Sequence, residues 1–219
     1  QELLTQLDND FAAAEDVRLI LRNVPGYGHG GTRADEWAVG IVQTFTRLVK
    51  EKPTPMGFIM IPGLFSWASM IDMGIGVSAT PNGRHAHAPI SQGANPNPSQ
   101  MRGDSAPTAM AIAVASVQPG YGNTAPLQLD MDPILACGEE GLANIEALIR
   151  GHFALGRTMI NMNIINKQQI LEAHKDPYRY PNLIVRVTGF SAYFASLSKE
   201  LRQLIVDRII SEESHRDGT

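Results

Sequence analysis

Apolar residues recur through the first fifty positions at the spacing of a helical face. Leu3, Leu4, Leu7, Phe11 and Ala14, then Leu19, Ile20 and Leu21, predict an amphipathic helix already under way where the chain begins. A second helix is predicted from about Arg33 to Lys50, with Trp37, Ile41, Phe45 and Leu48 on one face. Between residues 62 and 100 the period is lost. Gly, Pro, Asn and Ser dominate there, which predicts long ordered loops.

Periodicity returns as alternation from Thr158 to Asn166. Ile160, Met162 and Ile164 fall on one side and Met159, Asn161 and Asn163 on the other, as a strand requires. Asn163, if it faces inward, is expected to be a core amide with its hydrogen bonds satisfied. Asn166-Lys167-Gln168-Gln169 has the spacing of a capped helix start, and that helix closes before Asp176-Pro177. A β-branched strand is predicted from Tyr180 to Val187. Leu197, Leu201, Leu204, Ile205 and Ile209 then give the apolar stripe of a final helix beginning at Ser198. The chain is therefore read as α/β.

Composition narrows the class. The chain has 219 residues, 43% of them hydrophobic, enough for a buried core as one domain or as part of a larger one. A net charge of −4 with scattered Lys and Arg presents no basic face to nucleic acid. No apolar run reaches the roughly 18 residues of a membrane-spanning helix. A single cysteine excludes an intrachain disulfide and fits a reducing, cytoplasmic setting. Gln1 is not an initiator methionine, and the expected reading is the C-terminal portion of a longer polypeptide.

Most local motifs predict structure. The stretch from Gly26 to Gly31 lacks the Lys-Ser/Thr of a phosphate loop and reads as a tight connection. His85 and His87 read as a solvated or turn-stabilising pair, since a metal site needs further ligands at suitable spacing. Glu139, Glu140 and Glu146 read as charges favoured by a helix N-terminus. Met56, Met60, Met70 and Met73 read as adaptable packing.

One segment stands apart: Arg186-Val187-Thr188-Gly189-Phe190-Ser191-Ala192-Tyr193-Phe194. Alone, Gly189 is an ordinary strand-to-loop glycine. The nine residues together resemble the radical-carrying loop of the glycyl radical enzymes, which include pyruvate formate-lyase, glycerol and diol dehydratases, choline and isethionate lyases and arylacetate decarboxylases. The resemblance extends through the order strand, helix, Asp176-Pro177, Tyr180-Pro181, strand, Gly loop, helix. Thr80-Pro81-Asn82-Gly83-Arg84 is similar to a second family signature. Ala106-Pro107-Thr108-Ala109 is similar to a family helix start, with Asp104 or Ser105 as N-cap. The likeness runs from about Ala34 to about Ile210. Two positions depart from the pattern: Arg157 follows Gly156 where a second Gly is usual, and Thr188 stands where Ser or Ala is commoner.

The resemblance implies the C-terminal portion of a ten-stranded α/β barrel, with residues 1–125 in the barrel domain and 126–219 as the glycyl radical domain. It implies that Gly189 stores a radical. The absence of a Cβ lets the α-carbon flatten and delocalise its unpaired electron into the flanking amide and carbonyl. Ile184, Val185, Val187, Phe190, Tyr193 and Phe194 are expected to shield it from oxygen. Arg186, Val187, Thr188, Phe190, Ser191, Ala192, Tyr193 and Phe194 are the implied loop and activase-recognition residues, swinging out together.

Further implications concern partners. A radical S-adenosylmethionine activase bearing a [4Fe–4S] cluster installs the radical, and this chain binds no metal. The radical then generates a cysteine thiyl on an absent upstream segment. Cys137, in Leu135-Ala136-Cys137-Gly138, does not resemble the catalytic cysteine loop and reads as structural or incidental. The whole is expected to be a cytoplasmic homodimer acting anaerobically on a small organic substrate, with the isolated chain inactive. The alternative is a stand-alone radical subunit that docks onto a separate barrel chain.

Overall fold

The computed structural model describes residues 2–66, 68–97, 106–120, 125–156, 159–187 and 189–211. In chain order the elements are α1 (Glu2–Asp8), α2 (Glu15–Arg22), α3 (Arg33–Lys50), α4 (Met70–Ile75), α5 (Ala106–Ser116), β1 (Leu127–Met131), α6 (Gly138–Ala154), β2 (Ile160–Ile164), α7 (Lys167–Lys175), β3 (Ile184–Arg186), β4 (Ser191–Tyr193) and α8 (Lys199–Ser211). The architecture is mixed α/β. β1 and β2 pair in parallel, with Leu127 opposite Ile160 and Met131 opposite Ile164. β3 and β4 form an antiparallel hairpin, with Ile184 opposite Tyr193 and Arg186 opposite Ser191.

The N-terminal apolar pattern makes two helices where one was expected. α1 and α2 are separated by Asp10, Phe11 and Ala13 at φ 51°, 58° and 59°, the left-handed region that L-residues enter at a cost. Distant contacts hold the break. Asp10 accepts from the Ala86 amide at 2.7 Å and lies 3.1 Å from His85 Nδ1, while Phe11 is buried edge-on to the His85 ring. His87 Nδ1 lies 2.6 Å from the Ile75 carbonyl, so both histidines stabilise turns as expected.

α3 occupies its predicted range. Thr32 caps it, Oγ1 accepting from Asp35 N at 3.3 Å while the Asp35 carboxylate accepts from Thr32 N at 2.9 Å. That carboxylate also accepts from Gly28 N at 2.7 Å and Gly30 N at 3.0 Å, which folds the glycine-rich stretch into a tight connection. Burial acts to raise the Asp35 pKa. The amide bonds from Gly28, Thr32 and Gly30, with the Thr32 hydroxyl, outweigh it and hold the group below its ordinary value of 3.8. A depressed folded value contributes stability above the ordinary value and loses it as pH falls through the folded one. Asp35→Ala is therefore expected to cost about 1–2 kcal/mol at neutral pH. Melting curves of the two proteins should converge only below the ordinary carboxylate range.

Two apolar cores organise the rest. The first joins α5, which is apolar on every side, to Leu127, Leu129 and Met131 of β1, with Ile160 and Met162 of β2, Ile145 and Leu148 of α6 and Ala38 and Val42 of α3 packed around them. The second joins Ile170 and Ala173 of α7, Val185, Val187 and Phe194 at the hairpin, and Ile205, Val206 and Ile209 of α8. α7 opens and closes where predicted, the Asn166 side chain accepting from Gln169 N at 3.0 Å. Ser198 Oγ accepts from Leu201 N at 3.3 Å at the start of α8.

Some expectations are corrected. The segment from residue 62 to 97 contains α4, so it is not all loop. The predicted strand from Tyr180 shrinks to Ile184–Arg186. A turn closed by Leu183 N on Tyr180 O takes the preceding residues, and Tyr180 OH donates to Glu172 on α7 at 2.6 Å. Glu146 lies in the middle of α6, paired to Arg150 at 2.6 Å, away from the helix N-terminus. Of the four methionines only Met70 packs inside; Met56, Met60 and Met73 are exposed. Trp37, Ile41, Phe45 and Leu48 form the predicted face of α3, yet all are exposed. Among the described residues no helix is long and apolar enough to cross a membrane.

Candidate functional site

The sheet of β1 and β2 separates the two cores and differs on its two faces. Leu127, Leu129, Ile160 and Met162 face the first core. The intervening residues are polar, and pairing sets Gln128 beside Asn161 and Asp130 beside Asn163. The alternation in β2 is as predicted, but the amides are the buried set: Asn161 and Asn163 are each 8% exposed, against 50% for Ile164. Asn163 is the satisfied amide expected. Its Nδ2 donates to Asp130 Oδ1 at 2.8 Å and Arg186 O at 3.4 Å, and its Oδ1 accepts from Arg186 N at 3.0 Å.

The hairpin sits on that polar face. Val187 N donates to Phe190 O at 2.9 Å, closing the turn that holds Gly189 at φ 83°. A side chain is strained at that angle, so glycine fits there for conformational reasons alone. The Arg186 guanidinium spans two strands, donating to Ser191 Oγ at 3.3 Å and Asn161 Oδ1 at 3.3 Å. The Val187 carbonyl accepts from Gln92 Nε2 and Arg208 Nη1, both at 3.0 Å. Arg208 also meets Asp130 at 2.9 Å, Gln92 Oε1 at 2.8 Å and the Arg186 carbonyl at 3.2 Å.

Gly189 borders a cavity of about 150 Å³ whose walls include Phe65, Gln92, Gln128 and Asn161. On the other side of Gln92 lies a cavity of about 230 Å³, reaching Arg84, Asp130 and Arg208. The Thr80 to Arg84 turn forms part of that wall. Gly83 N donates to Thr80 O at 2.9 Å, Gly83 has φ 80°, and Arg84 donates to the carbonyls of Ala88, Ser78 and Val77. The motif thus acts as a clamp on its own loop. Among the described residues no group of three or more His, Cys, Asp or Glu is placed to hold a metal.

The structure brings most of the predicted site residues together and corrects the oxygen shield. Val185, Val187 and Phe194 are buried. Ile184, Phe190 and Tyr193 are exposed, as is Gly189 itself. A two-stranded hairpin has two faces, and only the one carrying Val185 and Val187 meets the second core. Ser191 and Ala192 lie in β4 opposite Arg186 and Val185. Thr188, Arg157, Asp104 and Ser105 lie outside the described residues. Cys137 is exposed at the start of α6, its Sγ donating to Pro133 O at 3.3 Å.

Three contributors were not singled out in the sequence as site residues: Gln92, Asp130 and Arg208. The polar member of an alternating strand was the available signal for Asp130, and an Arg flanking the apolar stripe of α8, a place it shares with Arg202, was the signal for Arg208.

Comparison with known proteins shows what the chain as a whole is similar to. The Glycine radical family matches residues 92–195 and the Pyruvate formate lyase-like family matches residues 1–74. Isethionate sulfite-lyase of Desulfovibrio desulfuricans is 32% identical over 215 residues, 94% of this chain and 25% of its own. The crystal structure of hydroxyproline dehydratase from Clostridioides difficile, with trans-4-hydroxy-L-proline bound, superposes with a TM-score of 0.84 at 31% identity, covering 94% of this chain and 26% of that one. The B12-independent glycerol dehydratase of Clostridium butyricum, with glycerol bound, gives a TM-score of 0.79 at 31% identity, with coverage of 94% and 26%. The chain belongs to the glycyl radical enzyme family and contains its glycine radical domain. It spans about a quarter of the length of these relatives.

Proposed function

We propose that Gly189 is the residue that stores the radical. One observation carries the assignment: within the matched domain, Gly189 is a positive-φ glycine at an exposed hairpin tip, bordering a cavity. Loss of its α-hydrogen leaves a centre that flattens without a Cβ clash. The exposed tip suits an activase, which by analogy with the family uses S-adenosylmethionine and a [4Fe–4S] cluster. Arg186, Phe190, Ser191 and Tyr193 are the loop side chains an activase would meet first, with Val187, Ala192 and Phe194 holding the loop's shape. Thr188 completes the recognised stretch.

In this reading the Gly189 radical takes a hydrogen atom from a cysteine thiol on a segment other than this chain, and the thiyl so formed attacks a small organic substrate. Cys137 is exposed at the edge of α6 and is not that thiol. Residues 1–125 belong to a ten-stranded barrel and 126–219 to the radical domain. The uncovered face of α3, with Phe58, Ile59 and Ile61, packs against the rest of the barrel, whether that lies on the same polypeptide or on a separate subunit. The complete enzyme is a cytoplasmic homodimer of an anaerobe's metabolism, and the present chain alone is inactive.

The test is direct. After anaerobic activation, exposure to air should cleave the backbone at Gly189, read by mass spectrometry as two fragments meeting at that residue. Cleavage at another glycine, or none in a sample that carries the radical, would overturn the assignment.

A further inference from the structure

The hairpin meets the second core and the β1–β2 sheet very differently. Val185, Val187 and Phe194 are 0–1% exposed within the second core, together with Ile205 of α8. The hairpin and α8 are therefore one packed body. Toward β1 and β2 the same body meets mostly polar groups, Ile165 just past the end of β2 being the member of the second core at that edge. Its contacts there include the Arg186 backbone on Asn163, the Arg186 guanidinium on Asn161, and Arg208 on Asp130 and Gln92. Gln92 is fixed to the far side, because Asn95 in the same loop exchanges two hydrogen bonds with the backbone of Gln128 in β1. The two cavities described above both run along this boundary and share Gln92 and Gln128 in their walls.

A polar, loosely packed boundary parts more readily than an apolar core, because water re-satisfies the separated groups. Within it Arg208 is the common member. It travels with α8, yet its guanidinium reaches the carbonyls of Arg186 and Val187 on its own side and Asp130 and Gln92 on the other. The Asp130 ion pair is largely buried, with the two side chains 13–16% exposed.

We propose that Arg208 is the positioning residue that locks the Gly189 hairpin against the β1–β2 sheet, with Asp130 and Gln92 as its two anchors. The inference builds on the radical role of Gly189, but its test reads docking and not chemistry. Arg208 touches no reacting atom. It sets how often the body formed by α7, the hairpin and α8 stands away from the sheet, as one piece.

Amide exchange separates that motion from unfolding. The Arg186 amide donates across the boundary to Asn163, whereas the Val187 amide donates within the hairpin to Phe190. In the polypeptide that carries this chain, Arg208→Gln is expected to speed Arg186 amide exchange by about tenfold or more, since two or more hydrogen bonds are lost. Exchange at Val187 and along α6 should stay unchanged. Arg208→Lys, which retains the charge without the fork, should fall between. Gln92→Ala, outside both cores, should act in the same direction and carries the test if the Arg208 variants fail to fold.

Unchanged Arg186 exchange in a folded Arg208→Gln protein, or equal acceleration at Arg186, Val187 and α6, would overturn the proposal. Radical yield measured on the same samples is independent: a lock without a radical leaves this inference standing and removes the one it builds on.

Discussion

Gly189→Ala is expected to leave the protein folded and to abolish the Gly-centred doublet in electron paramagnetic resonance after anaerobic activation. The structural cost is small. Gly189 is exposed, so no packing is lost, and its φ of 83° penalises alanine by about 1–2 kcal/mol. The chemical cost is complete. A methyl group at the α-carbon crowds the flattened radical against its neighbouring carbonyls, and the conformation that presents the hydrogen to an activase is the one alanine avoids. The melting temperature reports the first effect and the spectrum the second. A doublet persisting in the variant would show that the radical resides elsewhere.

The largest stability effect is expected at Phe194. Its ring is fully buried among Val185, Val187 and Ile205, and its amide donates to Leu183 O at 2.8 Å, tying the end of the hairpin to its beginning. Phe194→Ala should cost about 3–5 kcal/mol, from lost transfer free energy and an unfilled cavity. Phe190, four residues earlier in the same motif, is 41% exposed, and Phe190→Ala should change stability by no more than about 0.5 kcal/mol. Urea unfolding of the two variants in parallel is the measurement. Equal losses would contradict the division of the hairpin into an inner and an outer face.

The elements with a clean local signal were legible in the sequence. α3 and the start of α8 fall where the apolar period placed them, and α7 where the Asn166 cap did; in the structure Thr32, Asn166 and Ser198 each bond an amide of their own first turn. The alternation of β2 was legible, but not which face lies inside. Burial of asparagines follows from Asp130, Arg186 and Arg208 arriving from three other elements, and no local window contains them. The same limit explains the N-terminal helix. Its apolar spacing is continuous, yet Asp10 is claimed by the Ala86 amide across 76 positions.

Gly189 was legible only as part of a nine-residue pattern. The partners that seat it come from residues 92, 130 and 208, and that convergence is a property of the fold. The apolar surroundings of the motif do not make a closed shield, and composition carries no information about which hairpin face meets a core.

The buried asparagines of β2 bear on strand register. Shifting a strand by one residue turns every side chain to the opposite face. In most sheets the penalty for such a slip is exposed hydrocarbon. Here a slip would instead present Ile160, Met162 and Ile164 to Asp130 and Arg208, and would leave the Arg186 amide without its Asn163 acceptor and Asp130 without its Asn163 donor. A charge pair and a peptide group would lose partners together, which makes the misaligned sheet far less competitive than exposed isoleucine alone would. Polar residues thereby select a single alignment for β2, and through it the hairpin is delivered to one place.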